Sequence, residues 1–167
     1  MADLDPARLL GTLERHGVRY VVIGAIAAIA QGYPLATEDL DITPENDLGN
    51  LERLAAALEE LGARLRVPGS PTEGVEFPVD AMLLARSDLW SLTTDAGDLD
   101  LVFTPAGTAG YSDLRRDALE LDLGVTVLVA SLRDVIRSKE AAGRPKDIAQ
   151  LPALRETLDV RRRRESS

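Results

Sequence analysis

Glu38-Asp39-Leu40-Asp41-Ile42-Thr43 alternates acidic with apolar side chains, which is the period of a β-strand. On a strand, residues two apart face the same way, so Leu40 and Ile42 face the core while the two aspartates share the other face, about 6–7 Å apart. Two like charges side by side repel each other, and a bound cation removes that penalty. The strand is therefore a candidate site for Mg²⁺, which prefers carboxylate and phosphate oxygens.

A second acidic strand pattern, Asp98-Leu99-Asp100-Leu101, offers a third carboxylate. A third group on a neighbouring strand would let two metal ions sit about 3.5–4 Å apart and stabilise both the attacking and the leaving oxygen of a phosphoryl transfer. We favour Asp100 for this role because it lies deeper in the strand, and we expect Asp98, beside the turn, to be solvated. The alternative is an ordinary exposed acidic strand face, since Asp-x-Asp alone is a weak motif.

The rest of the chain predicts strands interleaved with helices. Helical spacing of apolar residues predicts helices over 5–16, 25–31, 46–61, 111–119, 132–142 and 145–158. Alternating or β-branched runs predict strands over 19–23, 38–43, 64–67, 89–93, 98–103 and 125–130. Residues 79–87 fit helix or strand, and 68–73 and 104–110 read as loops. We expect an α/β (α+β) fold, with a mixed sheet, helices mainly on one side and helices at the C-terminus.

Composition narrows the class of protein. The 167 residues suit one domain, predicted over 1–160, followed by a basic tail, 161–167, predicted to be disordered. The net charge of −9 disfavours a general nucleic-acid binder. There is no cysteine, the N-terminus lacks a secretory pattern, and the longest apolar stretch, 21–30, is too short to span a bilayer. We therefore expect a cytoplasmic protein without a membrane partner.

Three stretches in order carry a resemblance: VVIGA at 21–25, GYPLATEDLDI at 32–42 and KEAAGRPKD at 139–147. Together they resemble the signature of the DNA polymerase β-like nucleotidyltransferase superfamily, in which a strand, a glycine turn into a helix and a second strand bearing Asp-x-Asp follow one another. They are most similar to small bacterial proteins related to abortive-infection nucleotidyltransferase toxins. The resemblance extends over residues 19–158, nearly the whole chain.

The resemblance implies an activity and a set of site residues. It implies transfer of an NMP from an NTP to an acceptor hydroxyl on an RNA, a protein or a small molecule, with Mg²⁺, or alternatively Mn²⁺, as cofactor. A toxin role would add an antitoxin as partner. The implied metal ligands and catalytic residues are Asp39, Asp41 and Asp100. The implied nucleotide-binding residues are Gly24, Ala25, Thr37, Lys139, Arg144 and Lys146, with Gly24 letting backbone N–H groups approach a phosphate.

Two departures from this signature keep a second function open. Ala25 stands where the family has glycine or serine, and Leu35 replaces an arginine of the motif. Loss of that cation removes a charge-assisted contact of about 1.5–3 kcal/mol. The alternative is thus a catalytically degenerate nucleotidyltransferase-fold protein that binds a nucleotide or a protein. Asp147 either orients one of the neighbouring cations or is an ordinary acid in the first turn of a helix.

Overall fold

The computed structural model describes residues 2–69 and 74–167, so part of the predicted loop 68–73 lies outside the described residues. The helices are α1 (Pro6–Arg15), α2 (Gly24–Ala30), α3 (Leu48–Glu60), α4 (Ala81–Leu84), α5 (Tyr111–Arg116), α6 (Leu132–Ala142) and α7 (Pro145–Glu165). The strands are β1 (Tyr20–Ile23), β2 (Asp39–Pro44), β3 (Arg64–Leu65), β4 (Leu89–Thr94), β5 (Gly97–Val102), β6 (Leu119–Asp122) and β7 (Thr126–Val129).

All seven strands form one mixed sheet in the order β3-β4-β5-β2-β1-β7-β6. The pairs β2–β5 and β1–β7 are parallel. The remaining pairs, including the hairpins β4–β5 and β6–β7, are antiparallel. The predicted mixed sheet with C-terminal helices is therefore confirmed.

The strand alternation divides the central sheet into an apolar and an acidic face. Leu40 and Ile42 of β2 are fully buried, as are Leu99 and Leu101 of β5. They belong to a core that also includes the three leucines of α1 and, from α3, Leu51, Leu54 and Leu58. The aspartates between them are only half-buried, on the opposite face. Burial of the leucines thus fixes the direction in which the carboxylates point.

The structure differs from the predicted elements at 119–122 and at 161–164, and it decides between the two alternatives left open for 79–87. Helix α5 ends at Arg116, whereas the predicted helix extended to residue 119. Residues 119–122 form the edge strand β6, whose Leu-Glu-Leu-Asp alternation spans only four residues. Residues 79–87 contain a one-turn helix, α4, capped by Asp80. The run 161–164, predicted as a disordered tail, lies in the last turns of α7, where arginines complement the helix dipole. No helix among the described residues is long and apolar enough to cross a membrane.

Asn50 fastens α3 to the ends of β1 and β2. Its Oδ1 accepts from the Arg19 backbone N–H at 2.7 Å, and its Nδ2 donates to the carbonyls of Arg19 at 2.9 Å and Glu45 at 2.8 Å. Because Asn50 is 0% exposed, Asn50→Ala removes the side-chain partner of the Arg19 N–H and of the Glu45 carbonyl in a site closed to water, while the Arg19 carbonyl keeps its bond from the Glu45 N–H. We expect a loss of about 3 kcal/mol, or roughly 6–12 °C in Tm, measured by thermal and urea unfolding.

The matched control is Asn46→Ala, because Asn46 is exposed just before the same helix. It should change stability by less than about 0.5 kcal/mol. Equal stabilities of the two variants would contradict the fastening role of Asn50.

Candidate functional site

The parallel pairing of β2 with β5 brings the predicted carboxylates together. Its register places Asp39 beside Asp98 and Asp41 beside Asp100, so all four point to one face of the sheet. Three of them, Asp39, Asp41 and Asp100, form an acidic trio: each presents an oxygen, and these oxygens lie within 4.8 Å of one another. Three carboxylate oxygens this close together suit a hard divalent cation, because a bound cation offsets the repulsion between their charges.

Crowding of the carboxylates changes their protonation. Burial, together with the charges of Asp39 and Asp100, raises the pKa of Asp41 to about 7. Burial also raises the pKa of Asp100, although the Arg66 guanidinium opposes that rise. The Thr37 hydroxyl donates to Asp39 Oδ1 at 3.0 Å, so this residue orients an aspartate of the trio. Without a cation, ionisation of the trio therefore destabilises the folded protein. Carboxylates with such perturbed pKa values are common at functional sites.

Gly24 stands directly against Asp41. Its φ is +66°, and a Cβ added there would lie 2.2 Å from Asp41 Oδ2. A side chain at this position would collide with the carboxylate and would also strain the backbone. The sequence predicted that Gly24 admits a phosphate; the structure adds that it makes room for Asp41.

Arg66 joins the site, although the sequence did not predict it. Its Nη2 lies 2.5 Å from Asp100 Oδ1, and its Nη1 lies 3.0 Å from Asp98 Oδ2. Asp98 was predicted to be solvated, but its side chain is only 19% exposed and is ion-paired. The available signal was the Arg64-Leu65-Arg66 alternation, which puts both arginines on the face opposite to Leu65.

Lys139 and Arg144 both pair with Asp147, which is 1% exposed, and these two cations are called the basic wall below. Arg144 Nε donates to Asp147 Oδ2 at 2.7 Å, and Lys139 Nζ lies 3.5 Å from Asp147 Oδ1. These cations come from the end of α6 and the start of α7, which meet at Gly143 in the left-handed conformation. Asp147 lies in the first turn of α7, as one alternative predicted, and it also pairs with two of the neighbouring cations, as the other requires.

One cleft of about 600 Å³ contains the whole set of sequence-predicted residues. Its lining includes Gly24, Ala25, Thr37, Asp39, Asp41, Asp100, Lys139, Arg144 and Lys146. Leu35, which replaces the expected arginine, also lines it, as does Asp134. The acidic trio and the basic wall thus face one space large enough for a nucleotide and a small second substrate.

Comparison with solved structures shows which fold this chain shares. No family model and no curated protein matches the chain by sequence. Among solved structures, the lincomycin-bound lincosamide antibiotic adenylyltransferase LnuA matches 93% of this chain and 99% of its own, with a TM-score of 0.58 and 16% identity. The chain has the nucleotidyltransferase fold.

Two further structures share this nucleotidyltransferase fold. ANT(2″)-Ia in complex with adenylyl-2″-tobramycin has a TM-score of 0.57 and 15% identity, over 90% of this chain and 86% of its own. The Thermotoga maritima protein TM1012, described as a candidate nucleotidyltransferase, has a TM-score of 0.56 and 17% identity, over 95% of this chain and 96% of its own. At such identities the likeness is one of fold, and the link to abortive-infection toxins stays a prediction.

Proposed function

We propose that this chain is a metal-dependent nucleotidyltransferase that moves an NMP from an NTP to an acceptor hydroxyl. The observation that carries this proposal is the convergence of three aspartate oxygens within 4.8 Å, in a cleft that also holds a basic wall. A fold shared with two adenylyltransferases supports it. ATP is accordingly the first NTP to test.

The donor set fits a divalent metal. Asp39, Asp41 and Asp100 would hold Mg²⁺, or alternatively Mn²⁺, because their oxygens are hard ligands and because burial, followed by the charges of the other two carboxylates, raises the pKa of Asp41. A bound metal would supply charge stabilisation at the reacting phosphate and at the leaving oxygen.

The residues of the chain position the substrates around that centre. Lys139, Arg144 and Lys146 line the cleft and would contact the triphosphate, neutralising the charge that the pyrophosphate gains as it leaves. The acceptor oxygen forms a bond to the α-phosphorus, the bond from that phosphorus to the β-bridging oxygen breaks, and pyrophosphate departs. A carboxylate of the trio, or solvent, takes the proton of the acceptor hydroxyl.

For the acceptor we propose a small hydroxylated molecule. LnuA is described with lincomycin bound, and ANT(2″)-Ia with adenylylated tobramycin, so this fold accommodates such acceptors. The net charge of −9 works against a long RNA. RNA and protein acceptors are the alternative outcomes of the test, and an antitoxin partner rests on the sequence resemblance alone.

The test is a transfer assay with α-labelled NTPs, Mg²⁺ and three acceptor pools: small aminocyclitol and sugar alcohols, total RNA, and cell protein. We expect label to move from ATP to the small-molecule pool with release of pyrophosphate. Asp39→Asn should abolish the transfer. ATP binding by calorimetry without transfer to any pool would favour the degenerate binding module that Ala25 and Leu35 suggest, and absence of both would refute the proposed function.

Asp147→Asn tests the basic wall. The substitution keeps the size of the side chain but removes the charge that holds Arg144 and Lys139 in place. We expect KM for the NTP to rise about 10–100-fold, because loss of one charge-assisted contact costs about 1.5–3 kcal/mol. Steady-state kinetics, with stability followed by thermal unfolding, measure the effect.

Glu140→Gln is the matched control for this variant. Glu140 is exposed on the preceding helix, α6, where it pairs with Arg155 and does not line the cleft. Its KM should stay within about twofold of wild type, since exposed ion pairs contribute little. If Asp147→Asn behaves like this control, Asp147 does not organise the phosphate-binding cations.

A further inference from the structure

Arg66 belongs to a row of residues that crosses four strands of the sheet. Asp41 pairs with Asp100 in the parallel register, and Asp100 pairs with Ser91 of β4. The Arg66 backbone N–H donates to the Ser91 carbonyl at 2.9 Å, directly after β3. The arginine is thus level with the acidic trio, two strands away from Asp100.

The small side chain between them permits a direct contact. Neighbouring strands lie about 4.8 Å apart, so a side chain that reaches two strands must pass over the residue between. Ser91 is that residue, and the guanidinium passes over it to meet Asp100 Oδ1 at 2.5 Å. A second bond, from Nη1 to the Leu92 carbonyl at 3.4 Å, ties the same group to β4.

Asp98 provides a second anchor that lies outside the trio. It is two residues before Asp100 on the same face, and it contacts the other terminal nitrogen of Arg66 at 3.0 Å. The fork of an arginine suits two carboxylates at this spacing, because its donors are fixed in one plane. Asp98 also balances the arginine's charge, so the pair orients Asp100 without adding net positive charge beside the metal site.

We infer that Arg66, anchored by Asp98, is a positioning residue that holds one oxygen of Asp100 and leaves the other directed at the metal. This inference rests on the proposed metal site. Carboxylate ligands need outer partners that fix their orientation, and loss of such a partner commonly weakens metal binding 10–100-fold. The rival role is a latch, in which Arg66 occupies the place of the metal and must leave. The two anchors outside the trio, Asp98 and the β4 backbone, favour an arginine that stays.

The experiment is Mn²⁺ titration of the full chain, followed by electron paramagnetic resonance or calorimetry, without nucleotide. We expect Arg66→Met to raise the Mn²⁺ Kd by about 10-fold or more. Arg66→Lys, which can reach one carboxylate but lacks the fork, should restore part of the affinity. Asp98→Asn should weaken binding less than Arg66→Met, because the arginine keeps its contact with Asp100.

Arg155→Met is the control, since this exposed arginine pairs with Glu140 and neither residue lines the cleft, and its Kd should equal that of wild type. Thermal unfolding checks that each variant is folded, and Arg66→Lys serves if Arg66→Met is not. An unchanged Kd in Arg66→Met overturns the inference, and a tighter Kd overturns it in favour of the latch. If wild type binds no Mn²⁺, the metal site itself fails, which separates failure of the proposed function from failure of this inference.

Discussion

Asp41→Asn should abolish nucleotidyl transfer and at the same time stabilise the metal-free protein at neutral pH. Asp41 is central to the acidic trio, between Asp39 on its own strand and Asp100 on the next. An asparagine in its place offers a neutral oxygen and a donor instead of a negatively charged ligand. Because a bound metal contributes several kcal/mol to the transition state, we expect activity to fall at least about a thousandfold.

The stability change has the opposite sign because the trio is strained without its cation. Burial and the two neighbouring carboxylates raise the pKa of Asp41 to about 7 from a normal value of 3.8. Between these values the folded state binds more protons than the unfolded state, so the free energy of unfolding falls as pH rises from about 4 to 7. A rise of about 3 pKa units corresponds to about 4 kcal/mol. We expect asparagine to recover about half of this, roughly 2 kcal/mol or 4–8 °C at pH 8, because its amide is still buried and loses hydration.

Thermal unfolding from pH 4 to pH 8, with and without Mg²⁺, measures both effects. Wild type without metal should lose stability as pH rises through 7, while Asp41→Asn loses less. Added Mg²⁺ should stabilise wild type only, by the amount that its affinity dictates. Asp159→Asn, an exposed change on α7, is the control and should follow wild type. A parallel pH profile for Asp41→Asn and wild type would show that the trio carries no such strain.

The strand period explains why the acidic face could be predicted from the sequence. Leu40 and Ile42 must be buried, so Asp39 and Asp41 share the other face whatever the sheet order. The choice of Asp100 as the third carboxylate also matches its position in the trio. That part of the site depends only on local alternation and on depth within a strand.

What the sequence could not provide is the order and register of strands that are distant in the chain. Arg66 meets Asp100 only because β3, β4 and β5 are successive neighbours and Ser91 lies between the two side chains. Strand β6 was missed for a related reason, since four alternating residues form a strand here by pairing with β7. Each of these features is decided by long-range pairing, which propensity and spacing do not encode.

Gly24→Ala should disable the site while leaving the protein folded. The added Cβ would lie 2.2 Å from Asp41 Oδ2 and 3.1 Å from its Cγ, both too close for atoms that are not bonded. The strand holds the Asp41 backbone, so the side chain must rotate and take its carboxylate away from the trio. We expect metal affinity and activity to fall about 100-fold or more, because a displacement of about 1 Å in a reacting geometry costs on that order.

The loss of stability should be much smaller than the loss of function. Alanine at φ +66° costs about 1–2 kcal/mol. Rotation of the Asp41 side chain relieves the clash with its carboxylate, and the 3.2 Å approach to Asp41 Cβ needs only a shift of a few tenths of an ångström. Gly69→Ala is the matched control, because Gly69 has φ +81° and, among the described residues, no atom lies within 4 Å of an added Cβ. It incurs the backbone cost without the clash and should bind Mn²⁺ like wild type. If Gly24→Ala also keeps wild-type Mn²⁺ affinity, Asp41 is not held at the metal site by this contact.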